Sequence, residues 1–340
     1  MKEKLARGLN RMLDLMGYGE KWREWKRKRR AMFEEWELMY KALKRSPLAK
    51  AGAAMAVVFF ILGIFGPQIL ALINGLYSLL YSQGIIKQKI VLDPYKIFAG
   101  PRLGKPSLLH PFGCDEYGRD LFARVLTGAR VSLIVSVVVI SLGIPPGILL
   151  GLVSGYYGGK VDEFIMRVTD VFLAFPALVL AMAIAASLGA GLKSAIIALT
   201  IVWWPSYVRL VRGQVLSARE NVYVEAARAI GVSNLRIMVK HILPNIISPV
   251  IVLATLDFGT VVILNAALSF IGLGAQPPTP EWGRIVYDGL DYLMMAPWYS
   301  IIPGTAVFLT ALGFNLLGDG LRDVLDPRIR RSIEFASGRE

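Results

Sequence analysis

The chain has 340 residues, 55% of them hydrophobic, and a mean hydropathy of +0.52, which excludes a pair of soluble domains and requires a polytopic membrane protein. A net charge of +13 would suggest nucleic acid in a soluble protein; here it reads as orientation, with Lys and Arg kept on the cytoplasmic side, and no nucleic-acid recognition motif accompanies it. The single cysteine, Cys114, excludes an internal disulfide framework and a multi-cysteine metal site, and reads as a small packing residue.

Residues 1–50 carry roughly fifteen Lys and Arg against about seven acids, which assigns this end to the cytoplasm. Trp22, Trp25, Met32, Trp36, Met39 and Leu43 fall on one helical face, opposite Arg27, Arg30, Glu34 and Lys41. The pattern predicts a helix lying on membrane lipid, with a solvated tail as the alternative. The first apolar run begins too far along the chain, and is too long, for a cleavable signal. It predicts a first span over Ala51 to Ile73.

A long extracytoplasmic loop follows, with Pro94, Pro101, Pro106 and Pro111, and within it the run HPFGCDEYGRD from His110 to Asp120. His110, Asp115, Glu116 and Asp120 have the chemistry to ligate a divalent ion, but Pro111 and the glycines fit a capped turn equally well. The reading taken is a turn at Arg119 and Asp120 that holds the outer mouth of the second span, with no metal.

That second span, Val131 to Tyr156, carries Gly143, Gly147, Gly151 and Gly155, and the series continues to Gly159. Glycine at every fourth position lets another helix backbone approach closely, while Pro145 and Pro146 predict a kink. Lys160, Asp162, Glu163, Arg167 and Asp170 form a charged cytoplasmic elbow before a third span, Val171 to Leu188, which Pro176 breaks near its start. The fourth span, Ser194 to Val211, carries Trp203, Trp204 and Tyr207 as interfacial anchors.

Between that span and the next stands EAARAIGVSNLRIMVKHILP, Glu225 to Pro244. Ala226, Ala227 and Ala229 predict a short, narrow helix ended by Gly231 at positive φ. Ser233 or Asn234 then caps a second helix that runs to a break before Pro244. The fifth span, Ile246 to Leu273, holds the one clear intramembrane acid, Asp257, with Asn265 and Ser269 farther along. A charge at that depth needs a partner, a helix end or a watery path, so Asp257, Asn265 and Ser269 are the translocation-path candidates. A sixth span, Tyr299 to Leu317, returns both termini to the cytoplasm.

The order Glu225, Ala226, Ala227, Gly231, Leu243, Pro244 resembles the EAA loop of the membrane-spanning subunits of ATP-binding-cassette importers. The run from His110 to Asp120 with Arg124, Gly128, Arg130 and Ser132 resembles the C-type permeases of the dipeptide, oligopeptide and nickel importers. So do the outer segment AQPPTPEWGRIVYDGLDYLMMAPW and the tail GDGLRDVLDPR. Cys114 stands where that family commonly has threonine, Asn265 where it often has glutamate, and His241 where an apolar residue is usual.

The resemblance implies an all-α membrane protein of the type I importer permease kind, with six transmembrane helices, a cytoplasmic coupling helix and an N-terminal amphipathic helix. The expected organisation is a basic segment over 1–50, a first span and outer loop over 51–130, a permease core over 131–320 with the coupling loop at 213–245, and a tail over 321–340. The implied coupling residues are Glu225, Ala226, Ala227, Gly231, Leu243 and Pro244. The implied partners are a second homologous permease, two ATPase subunits and an extracytoplasmic solute-binding protein. ATP and magnesium belong to the ATPase subunits, since GAGLKS at 189–194 lacks the Gly-Lys pair of a phosphate loop and no other run supplies it. An ion-coupled secondary transporter is the alternative, resting on Asp257 alone; a membrane-embedded enzyme lacks a convergent catalytic set.

Overall fold

The apolar runs fold into long helices because a backbone in hydrocarbon must satisfy its own hydrogen bonds. The structure is a computed structural model that describes residues 46–86 and 91–325. The amphipathic helix expected over 22–43 and the tail beyond 325 lie outside the described residues. In chain order the helices are α1 (Pro47–Ser82), α2 (Leu121–Tyr157), α3 (Gly159–Leu173), α4 (Ala177–Leu188), α5 (Leu192–Ala218), α6 (Val222–Ala229), α7 (Asn234–Phe270), α8 (Trp282–Gly289) and α9 (Trp298–Leu325).

Among the described residues five helices, α1, α2, α5, α7 and α9, are long and apolar enough to cross a membrane, and six spans result if α3 and α4 count as one. The chain divides into a unit of Ala51–Asp319, which holds the helix bundle, and a unit of Met1–Lys50 with Gly320–Glu340. In the second unit Ala49 lies against Gly320.

The expected third span is bent at Pro176, where the sequence placed its break, and more helix precedes the bend than expected. The charged elbow is itself helical: α3 begins at Gly159, and α4 leaves it at 85°. Pro176 disfavours helical geometry at Phe175 before it and occupies the N-cap of α4 with an extended ψ of 129°. At 12 residues, α4 by itself is about 18 Å long, short of the hydrocarbon thickness of about 30 Å. The polar face of α3 is held to α5 by a bidentate pair, Arg212 Nε and Nη2 donating to Asp162 at 2.6 Å each, and by Arg209 donating to Asp170 at 2.7 Å.

The glycine series is a helix seam. A Cβ added at Gly143 would meet Trp203, at Gly147 Tyr207, at Gly151 Val211 and at Gly155 Val215, so the small residues of α2 receive every fourth residue of α5. Gly159 does not belong to it, since nothing lies within 4 Å of its Cβ position. Helix α2 continues through Pro145 and Pro146 without interruption.

Its outer end is the capped turn expected from the sequence. Asp120 is the N-cap, accepting from Ala123 N at 2.7 Å, and its other oxygen lies 2.8 Å from His110 Nδ1. Asp115 accepts from Arg119 Nε at 2.6 Å, and Glu116 accepts from the Tyr299 hydroxyl. The four groups considered as metal ligands are thus engaged with protein partners. Cys114 is fully buried behind them, and burial, with Asp120 and Asp115 nearby, pushes its thiol up to about 12. Both its burial and its raised thiol suit a small packing residue.

Candidate functional site: the cytoplasmic coupling segment and the Asp257 cluster

Helix α6 ends in a Schellman motif. Gly231, at φ 77°, donates to Arg228 O at 3.0 Å, and Val232 donates to Ala227 O at 3.1 Å. No atom lies within 4 Å of a Cβ placed on Gly231, so backbone conformation alone selects glycine there.

The alanines divide by face. Val224 and Ala227 are buried at 0% and 5% exposure, anchoring α6, whereas Glu225 and Ala226 face outward. The same segment exposes Val222 at 79%, Ile230 at 80% and Leu235 at 69%. Sequence reading placed Ile230 on the short helix but missed Val222 and Leu235; the available signal was large apolar side chains inside an otherwise polar segment.

The segment is clamped to the end of α2. Arg228 lies 5.1 Å above the Tyr156 ring, and the Tyr156 hydroxyl donates to Asn234 Oδ1 at 2.9 Å. Arg219 Nη1 donates to Gly155 O at 3.0 Å. The helix on each side of Gly231 therefore touches the same tyrosine.

No break precedes Pro244, contrary to expectation. Residues Ile237–Ile242 form a π turn, and Leu243 N bonds to Met238 O, five residues back. The widened turn carries the ladder past Pro244, which has no N–H to donate. Leu243 is half-buried and Pro244 exposed at the start of the long α-helical part of α7.

The three path candidates are not brought together. Asp257 is half-buried and accepts two hydrogen bonds at Oδ2, from Trp203 Nε1 at 2.8 Å and from the Tyr207 hydroxyl at 2.6 Å. Trp203 and Tyr207 are 7% and 0% exposed, so neither is the interfacial anchor the sequence suggested. Trp204, in edge contact with Phe172 at 5.2 Å, remains half-exposed. Asn265 and Ser269 have no exposure and face protein, not open space.

Asn265 Nδ2 donates to Glu281 Oε1 at 3.1 Å, and Glu281 is the N-cap of α8, accepting from Arg284 N at 3.0 Å. Complete burial, against the hydrogen bonds it accepts, pushes the Glu281 carboxyl up to about 7. The buried acid near Asn265 is therefore supplied from the outer segment.

The family described as "Binding-protein-dependent transport system inner membrane component" matches residues 147–331. The dipeptide transport system permease protein DppC of Alkalihalophilus pseudofirmus is 43% identical over 295 residues, 87% of this chain and 90% of that protein. The probable D,D-dipeptide transport system permease protein DdpC of Escherichia coli is 44% identical over 286 residues, 84% and 89% of the two chains. The glutathione transport system permease protein GsiD of Escherichia coli is 47% identical over 225 residues, 66% and 74%.

An inward-facing structure of the MetNI methionine ABC transporter shares the fold with a TM-score of 0.51 at 21% identity, over 61% of this chain and 98% of that one. Asp257, the only support for an ion-coupled carrier, is held by two protein donors. The chain belongs to the binding-protein-dependent transport system inner membrane component family, as a multi-pass permease subunit of the type I ABC importer fold.

Proposed function

We propose that this permease carries short peptides, pairing with a second homologous permease, with two ATPase subunits docked at α6 and a solute-binding protein delivering cargo outside. The relatives named for dipeptides, D,D-dipeptides and glutathione support the substrate class, all of them small peptides. ATP and its magnesium bind the ATPase subunits, and both termini of this chain face the cytoplasm. The coupling residues are Glu225, Ala226 and Gly231, with Ala227, Leu243 and Pro244 holding the segment in place.

The observation that carries the coupling reading is the two-faced α6. Its inner face is fixed by Val224, Ala227 and the Arg228–Tyr156 contact, while Glu225, Ala226 and Ile230 face outward. A rigidly attached helix with an apolar outer face transmits a partner's displacement to α2 and α7 instead of absorbing it. Gly231 and Glu225 test it in reconstituted vesicles. Gly231→Val strains a φ of 77° by about 1–2 kcal/mol with no steric contact. Glu225→Lys reverses an exposed charge. Both variants insert normally and lose peptide uptake, with ATPase activity uncoupled or reduced; wild-type uptake by both refutes the assignment.

A further inference from the structure

Helix α8 is a wedge between α2 and α7. On the α2 side Trp282 Nε1 donates to Val125 O at 2.8 Å, and a Cβ added at Gly128 would stand 2.6 Å from the Trp282 ring. On the α7 side a Cβ at Gly283 would run into the backbone of Ala266. The Ser300 hydroxyl of α9 donates to Val286 O at 3.1 Å. Glu281, the N-cap of the wedge, is sealed in with no exposure.

A carboxylate buried in this way needs a cation, and the surrounding helices supply none to it. Arg284 of α8 pairs with Asp288 at 2.9 Å and lies over the Tyr287 ring. Arg124 of α2 donates to Pro94 O and has Asp115 at 3.6 Å from its Nε, while Arg130 is exposed. Along α7 the nearest charge is Asp257, about two turns before Asn265 and held by Trp203 and Tyr207. Tyr299 of α9 donates to Glu116, and α1 carries Lys50 alone, in its first turn. The donors that reach Glu281 are neutral: Asn265 Nδ2, the Ser269 hydroxyl and the N–H groups of Gly283 and Arg284.

Asn265 supplies a second, independent observation. Its Nδ2 donates to Glu281 Oε1 at 3.1 Å, yet its Oδ1 is buried with no donor. A carboxylic acid and a primary amide pair through two hydrogen bonds, amide N–H to acid carbonyl and acid O–H to amide oxygen. The first is in place, and a proton on Glu281 provides the second. We propose that Glu281 and Asn265 are a proton-operated latch: with the proton in place their acid–amide pair seats α8 against α7, and without it the seat loosens. Burial raises the seated carboxyl from 4.5 to about 7, so lifting α8 into water releases the proton between those values. Seating is complete in acid, weakens as pH rises toward 7, and levels off above it.

The full chain is purified in mild detergent with its co-expressed subunits, so that reagent reaches both faces. Ser300→Cys on a Cys114→Ser background leaves one thiol, covered by α8. Its labelling by a methanethiosulfonate is read from pH 5.5 to 7.5 as a ratio to the same chain carrying Glu281→Gln, which cancels the ionisation of the thiol. Gln keeps both bonds of the pair without a titrating group. The ratio rises about twentyfold across that range, and a constant ratio overturns the latch. Should a variant fail to assemble, hydrogen exchange in the unaltered chain decides. The protection factors of amides 283–287 fall by about the same factor while those of α5 hold; protection constant with pH, or falling equally in α5, overturns the proposal.

Discussion

Removing the Asp257 carboxylate orphans two donors inside the helix bundle. Trp203 Nε1 and the Tyr207 hydroxyl both donate to Asp257 Oδ2, and their residues are 7% and 0% exposed. Each buried donor left without a partner costs about 1–3 kcal/mol, so Asp257→Ala loses about 2–6 kcal/mol before any relief from removing a partly buried charge. Net destabilisation of about 2–4 kcal/mol is the expected outcome. Asp257→Asn keeps an acceptor oxygen and falls well below that.

The cycle with Tyr207→Phe separates this account from simple loss of packing. Alone, Tyr207→Phe removes one bond and costs about 1 kcal/mol; on the Asp257→Ala background it removes an orphaned hydroxyl and restores stability. Denaturant unfolding of the purified transporter gives the four free energies, and vesicle uptake is followed alongside. If Asp257→Ala is as stable as wild type and the two substitutions add, the hydrogen bonds have no structural weight. A loss of uptake in that stable variant would then assign Asp257 to the path.

Gly147→Ala drives a methyl group into Tyr207 Cβ and to 2.8 Å from Trp204 O, backbone and near-backbone atoms that cannot swing aside. Overpacking of this kind costs about 1–3 kcal/mol, to be seen as a lower thermal midpoint, while Gly213→Ala, exposed on α5 with nothing within 4 Å of its Cβ position, lacks that loss. The Glu281 carboxyl rises from 4.5 to about 7 on folding, so the native state binds the extra proton. Its contribution is fully present below pH 4.5 and is lost as pH rises through 7, about 3 kcal/mol at 1.36 kcal/mol per pH unit. Melting curves from pH 5 to 7.5 should show this decline in the wild type and a flatter profile in Glu281→Gln. Externally added thiol reagent should label a cysteine placed at Met294, 96% exposed in the outer segment, and miss one at Ser217; the opposite pattern refutes the orientation.

Apolar run lengths determined the spanning helices, because satisfying a backbone in hydrocarbon is a local requirement met within each segment. The α6 turn was legible for the same reason: a Schellman motif is closed by residues 227–232 alone, and Gly231 is the signal. The four-residue glycine repeat announced close packing, and the turn from His110 to Asp120 announced a cap. Tertiary structure alone chose the partners. Asp257 reads as an isolated charge until α5 brings in Trp203 and Tyr207 from 54 and 50 positions earlier. Asn265 reads as a lone polar group until α8 folds back and puts Glu281 against it. The 85° turn between α3 and α4 and the π turn before Pro244 belong with these. A proline states only that one hydrogen bond is missing; whether the chain bends, widens or continues is decided by the helices packed around it.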